Sequence, residues 1–183
     1  MNPVDIINNY YKPGSLSHDI LMVHSEAVAR KAAKIAEGLD DPAIDRDFIY
    51  DAAKLHDIGI FYTDAPGIGC FGNYPYMCHG YLGRNLLEEL GMEKHALVAE
   101  RHVGAGLTKK EIIEKDLPLP ARDMLPLTIE EIIICVADKF FSKNPDMKKE
   151  FSLSDVMAKI ETYGRESMVR FESWLKILGD VHE

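Results

Sequence analysis

From Ile20 to Leu39 apolar residues recur at helical steps, at Ile20, Val23, Ala27, Val28, Ile35 and Leu39, and nowhere in the chain does strict alternation last more than a few residues. That spacing gathers apolar groups on one side of a helix, whereas a half-buried strand needs every second residue apolar. The run "HDILMVHSEAVARKAAKIAEGL", residues 18–39, therefore predicts a long amphipathic helix with Gly38 near its end. Asp45 is placed to cap a second helix through "RDFIYDAAKLHD", stopped by Gly59. "HGYLGRNLLEELG" carries His79, Leu82, Leu86 and Leu90 on one face and closes at Gly91, and a short helix, "MEKHALVAERH", follows. Thr108 with Glu111 and Thr128 with Glu131 read as capping boxes, separated by a linker holding Pro118, Pro120 and Pro126. The second opens "TIEEIIICVADKFF", whose β-branched residues would suit a strand but whose cap and length favour a central helix. "SDVMAKIETYGRESMVRFESWLKILG" predicts one long C-terminal helix, residues 154–178, packed across the others. The expectation is a single all-α domain over residues 1–183, its core at about 20–141.

Charge narrows the function. A net charge of −9 argues against a general nucleic-acid binder, because phosphate backbones need a basic face. It leaves room for a small phosphorylated substrate if a bound metal supplies positive charge locally. Cys70, Cys78 and Cys135 form no CxxC, so neither a disulfide framework nor a zinc knuckle is indicated. "MNPVDIINNYYKPGSL" lacks the basic start and apolar run of a signal peptide, and no stretch approaches the roughly 18 apolar residues of a membrane span. A cytoplasmic protein with no membrane partner is expected, and a homodimer is left open.

The polar residues within the helical runs carry the chemistry. In "AAKLHDIGIF", residues 52–61, His56 and Asp57 stand side by side where an apolar helix ends. Adjacent helical residues point about 100° apart, so these two converge only on an object beside the helix end. A metal ion is one such object; a cap or an ordinary hydrogen-bonded pair is the alternative. His24 continues through Val28, Ala32 and Ile35 on a core-facing stripe, His79 heads the leucine stripe of its helix, His102 ends another, and Asp138 closes the central helix. Taken singly, an inward histidine is most often a hydrogen-bonded core residue. Two carboxylates at helix C-termini oppose the helix dipole and need a cation. Arg101, Arg84 or Lys139 could provide one, but a divalent ion satisfies both carboxylates and explains four inward histidines as well. His18, His95 and His182 fall outside this set: His95 lies seven residues before His102, about 10 Å away along the axis. The loop "FYTDAPGIGCFGNYPYMC", residues 61–78, joins two proposed ligands and should hang over the site. Its Phe61, Tyr62, Phe71, Tyr74 and Tyr76 could stack on a nucleobase or plug the rim, and Asp64 is a weaker acid–base candidate.

The ordered series His24, His56-Asp57, Asp138, with "HDIG" at residues 56–59 and "ADK" around Asp138, resembles the HD superfamily of metal-dependent phosphohydrolases over roughly residues 20–141. "CHGYLGRNLLEELG" and "AERHVGAGLT" are similar to segments of HD subgroups that carry a second metal, small HDIG-domain proteins of bacteria and archaea among them. The resemblance implies an HD-domain helical bundle in which Asp57 bridges two divalent ions, drawn from Fe, Mn, Mg, Zn and Ni, with His24, His56 and Asp138 around one and His79 and His102 around the other. It implies hydrolysis of a phosphoester or phosphoanhydride of a small, nucleotide-like substrate by a metal-activated water, with Lys139 and Arg101 holding the remaining phosphate charge. The absence of a GxSxG turn and of a P-loop agrees with chemistry that needs no side-chain nucleophile. Two other readings stay open: di-iron oxygen chemistry on the same fold, and a non-catalytic role in which ions staple the helices or a ligand is sensed.

Overall fold

The computed structural model describes residues 2–143 and 150–181. Among them the chain forms α1 (Pro3–Tyr10), α2 (Leu16–Glu37), α3 (Arg46–Leu55), α4 (His79–Glu89), α5 (Glu93–Arg101), α6 (Lys109–Glu114), α7 (Ile129–Asp138), α8 (Leu153–Glu161) and α9 (Arg165–Leu178). The only strands described are β1 (Asp64–Ala65) and β2 (Cys70–Phe71), a two-residue antiparallel pair inside the 61–78 loop. The fold is all-α.

Side-chain caps set most helix starts. Ser15 accepts the His18 amide to begin α2, Asp45 accepts Phe48 N–H at 2.9 Å to begin α3, and Thr108 with Glu111 closes a full capping box at α6. At α7 only half of the expected box forms. Thr128 accepts the Glu131 amide, but the Glu131 carboxylate turns to Leu127 N–H and to Arg101. Helix α1 has its own signal, Asn2 as cap with Pro3 at the first helical position, which the periodicity of an eight-residue segment is too short to announce.

Two apolar clusters fill the interior. One gathers α2, α3, α7 and α9 around Ile133, Ile134, Phe140, Phe171 and Trp174; the other gathers α1, α4 and α5 with the 3₁₀ turn Ile58–Tyr62 around Ile6, Ile7, Ile58 and Leu87. The end of α3 lies between them, since α3 contributes Ala52 and Ala53 to the first cluster and Leu55 to the second. The segment that carries His56 and Asp57 is thus held from both sides.

The expected single C-terminal helix is two. Helix α8 ends at Glu161 and α9 starts at Arg165, with Gly164 between them at φ 111°. That backbone conformation lies outside the helical region, and glycine is the residue that adopts it without strain. The apolar period continues across the break because both helices pack on the same core.

Candidate metal centre

His56 occupies the last helical position after α3, with φ −55° and ψ −32°, and Asp57 leaves the helix at φ −100° and ψ 9°. The turn aims both side chains at one point beside the helix end. Four further elements bring groups to that point: α2 carries His24, α4 begins with His79, α5 ends in His102, and α7 ends in Asp138. All six residues are buried. The structure therefore brings together all six proposed ligands.

Asp57 divides them. Its Oδ2 lies 3.2 Å from His24 Nε2 and 3.1 Å from His56 Nε2, and these nitrogens lie 3.0 and 3.3 Å from Asp138 Oδ1. Its Oδ1 lies 3.3 Å from His79 Nε2 and 3.4 Å from His102 Nε2, which are 3.1 Å from each other. Within each set the donor atoms fall inside 4.8 Å of one another, a span that can close on one ion.

The protonation pattern fits a cation. Nδ1 of His56, His79 and His102 each faces a main-chain carbonyl three residues earlier, at 2.7, 2.6 and 2.8 Å. A carbonyl only accepts, so each Nδ1 holds a proton and each Nε2 faces inward, where it can give its lone pair to an ion. Burial pushes His79 down to about 3 and lowers His102, keeping both rings neutral. Two lone pairs then meet at 3.1 Å beside a carboxylate oxygen with no proton among them. A divalent ion relieves that repulsion. In the other set burial depresses His56, but the charges of Asp57 and Asp138 outweigh it and carry the ring up to about 9, so an ion bound there displaces a proton. Both oxygens of Asp57 are buried without a hydrogen-bond donor in conventional geometry.

Two lysines complete the surroundings. Lys139 Nζ donates to Asp138 Oδ2 at 2.6 Å and to the His102 carbonyl at 2.9 Å. Lys143 Nζ lies 2.7 Å from Asp57 Oδ2. Burial opposes charge on both carboxylates; His56 and Lys143 nonetheless hold Asp57, and Lys139 and Lys143 hold Asp138, well below the usual carboxylate range. Lys143 is absent from the sequence reading. It sits beyond the end of α7, outside any helical period, where spacing carries no information about direction.

The remaining candidates go elsewhere. Arg101 Nη1 donates to both oxygens of Glu131, at 2.8 and 2.9 Å, and Arg84 bonds Glu88 and Glu100. Asp64 is exposed. Of the loop aromatics, Phe61 and Tyr62 pack on the second apolar cluster, Phe71 is 77% exposed, and Tyr76 stands over His79 with ring centroids 4.8 Å apart. His95 packs edge-on against Phe48 and His18 bonds Asn8, while His182 lies outside the described residues.

A cavity of about 510 Å³ opens onto the cage, and Tyr76, His79, His102, Asp138, Lys139 and Lys143 line it. Its size suits a small-molecule ligand.

The HD domain family model matches residues 21–142. An uncharacterized protein of Methanocaldococcus jannaschii is 37% identical over 150 residues, covering 80% of this chain and 79% of that one. Two proteins described as tRNA (cytidine(56)-2′-O)-methyltransferases, from Picrophilus torridus and Thermoplasma volcanium, are each 31% identical, over 144 and 139 residues. These alignments cover 78% and 75% of this chain but only 36% of each methyltransferase. No solved structure matches.

Proposed function

The chain belongs to the HD domain family, and on that premise we propose that it hydrolyses a phosphoester or phosphoanhydride bond of a small nucleotide-like substrate. One observation carries the reading: the two oxygens of Asp57 face two different imidazole sets at the mouth of a cavity that lysines line. Divalent ions held by His24, His56, Asp57 and Asp138 and by Asp57, His79 and His102 would supply a hydroxide near neutral pH and polarise a phosphate oxygen.

The protein's own groups do the rest. Three of the four imidazoles are oriented by main-chain carbonyls at Nδ1, so their Nε2 atoms already face the ion positions. The carboxylates of Asp57 and Asp138 are matched by the ammonium groups of Lys139 and Lys143. The cage is therefore close to neutral by itself and strongly positive once loaded, which favours a phosphorylated ligand. Lys143 is the group best placed to hold substrate oxygens, while Lys139 also positions Asp138 and the end of α5. Cys135 offers no competing nucleophile: burial pushes its thiol up to about 11, and its Sγ points at the His102 carbonyl. The tRNA methylation named for two relatives belongs to proteins of which the matched stretch is about a third, and a charge of −9 here does not favour a tRNA substrate.

Elemental analysis followed by phosphate release from a panel of nucleotides, with Mn²⁺ or Mg²⁺, tests the proposal. Turnover of at least one compound is the expected result. No release across mononucleotides, dinucleoside polyphosphates, cyclic nucleotides and pyrophosphates, or oxygen uptake by an iron-loaded sample instead, overturns it.

Lys143→Ala is expected to lower kcat/KM by roughly 100-fold, the scale of removing one preorganised charge-stabilising group. Metal content should not fall, because the lysine faces Asp57 without being a ligand. Steady-state kinetics paired with metal analysis separates the two; loss of metal with activity would make Lys143 a support of the cage.

A further inference from the structure

The cavity is charged in the opposite sense to the chain. The protein carries 30 acidic and 21 basic residues, yet the described residues lining the cavity include four lysines, Lys115, Lys139, Lys143 and Lys159, and one carboxylate, Asp138. Lys139 and Lys143 are committed to the carboxylates of the cage. Lys115 and Lys159 are not. Lys115 Nζ donates to the main-chain carbonyl of Tyr163 at 3.1 Å, which fixes its position and leaves two N–H groups free. Lys159 projects from α8, and its Nζ makes no hydrogen bond or ion pair with a described residue. Although exposed at the cavity mouth, its ammonium is held below the ordinary lysine range by partial loss of solvent and then by the charge of Lys139, with Asp138 opposing. Lys115 and Lys159 thus offer this part of the cavity ammonium hydrogens that no described carboxylate takes up, and an anion from outside can accept them.

The break between α8 and α9 anchors Lys115 on the cavity wall that Lys159 also lines. It carries Thr162 and Tyr163 to the cavity wall, and the Tyr163 carbonyl is the one that holds Lys115. Apolar wall is supplied by Val103, Leu107, Leu117, Phe141 and the Tyr163 ring. The cavity thus has an ion-binding end, an apolar wall and a second cationic place.

We propose that the substrate carries two separate anionic groups, the cleaved phosphate at the Asp57 cage and a second, retained phosphate at Lys115 and Lys159, with its uncharged part on the apolar wall. Placing the first phosphate rests on the hydrolase reading; the second site does not.

The test is a comparison of binding. Adenosine 3′,5′-bisphosphate and adenosine 5′-monophosphate are titrated into the Mn²⁺-loaded protein by calorimetry, and phosphate release from each is measured separately. The bisphosphate is expected to bind wild type at least tenfold more tightly, as two charge-assisted hydrogen bonds allow. In Lys115→Ala/Lys159→Ala, a change at two exposed side chains, that ratio should fall to near one, and Lys115→Arg/Lys159→Arg should restore it. Equal affinities in wild type, no binding of either nucleotide, or a ratio unchanged in the double alanine variant overturns the second site. Phosphate release from the full nucleotide panel judges the hydrolase reading independently: a retained ratio with no turnover of any compound sinks the hydrolase and keeps the anion site, and turnover with a ratio of one does the reverse.

Discussion

Asp57→Ala is expected to abolish metal binding and hydrolysis together while the far-UV helix signal stays near wild type. No other residue belongs to both donor sets. Removing it takes one oxygen from each, leaving His79 and His102 as a pair of imidazoles with no carboxylate between them. Loss of even an outer-shell partner commonly costs 10–100-fold in metal affinity, and loss of a bridging ligand costs more. The helices do not depend on it, because the apolar clusters on either side of the α3 end hold that segment without the carboxylate. A thermal measurement makes the result independent of any substrate. Metal at a hundred times its Kd stabilises wild type by about 2.7 kcal/mol, a rise of roughly 5–11 °C in Tm for a chain of this size. The variant should show no such rise. A variant that keeps wild-type phosphatase rates would show that the reacting centre lies elsewhere.

What the sequence displayed, and what it hid, divides along a physical line. Periodicity reports which side of a helix faces the core and singles out His24, His79 and Asp138, while His56, Asp57 and His102 stand out as polar residues ending helices; all six are buried. Caps report where helices start, so Ser152 marks the start of α8, but only Gly164 marks the α8–α9 break, and the apolar period that runs through it suggests one helix. Spacing says nothing about which oxygen of a carboxylate meets which imidazole. The two-way division at Asp57 followed from family resemblance and became geometry only once the α3 turn was placed against α4 and α5. Lys143 and Arg101 show the same limit from opposite sides. One stands in an irregular segment and reaches Asp57, while the other stands next to a ligand in sequence and grips Glu131.

Gly59 shows how a residue can be noticed for one reason and required for another. A glycine after a helix suggests a left-handed terminator, and Gly91 is one, at φ 71°. Gly59 is not among the positive-φ residues; it lies within the 3₁₀ turn Ile58–Tyr62. Its need is for space. A Cβ on it would stand 2.3 Å from the His79 carbonyl oxygen, 2.4 Å from Gly83 N and 2.9 Å from Gly83 Cα, all backbone atoms of α4 that no rotamer change can move. Gly80 makes the matching close approach on the other side of α4, where a Cβ would stand 2.7 Å from Val103 Cγ2 and 2.9 Å from the Ala99 carbonyl oxygen. These glycines draw the Asp57 turn, the start of α4 and the end of α5 together, and so set His79 and His102 against Asp57 Oδ1. Gly59→Ala must push α4 away from the turn. Overpacking of this kind costs about 3 kcal/mol, a fall of roughly 6–12 °C in Tm. The displacement acts on one donor set more than the other, because His24, His56 and Asp138 stand on α2, the end of α3 and α7, within or beside the first apolar cluster. The variant should therefore keep metal at the His24, His56 and Asp138 set and lose most of its affinity at the His79 and His102 set, with hydrolysis falling accordingly. Titration with Mn²⁺ followed by electron paramagnetic resonance resolves the two stoichiometries. Retention of both sites at wild-type affinity would mean that the close packing of glycines positions the helices without setting the metal centre.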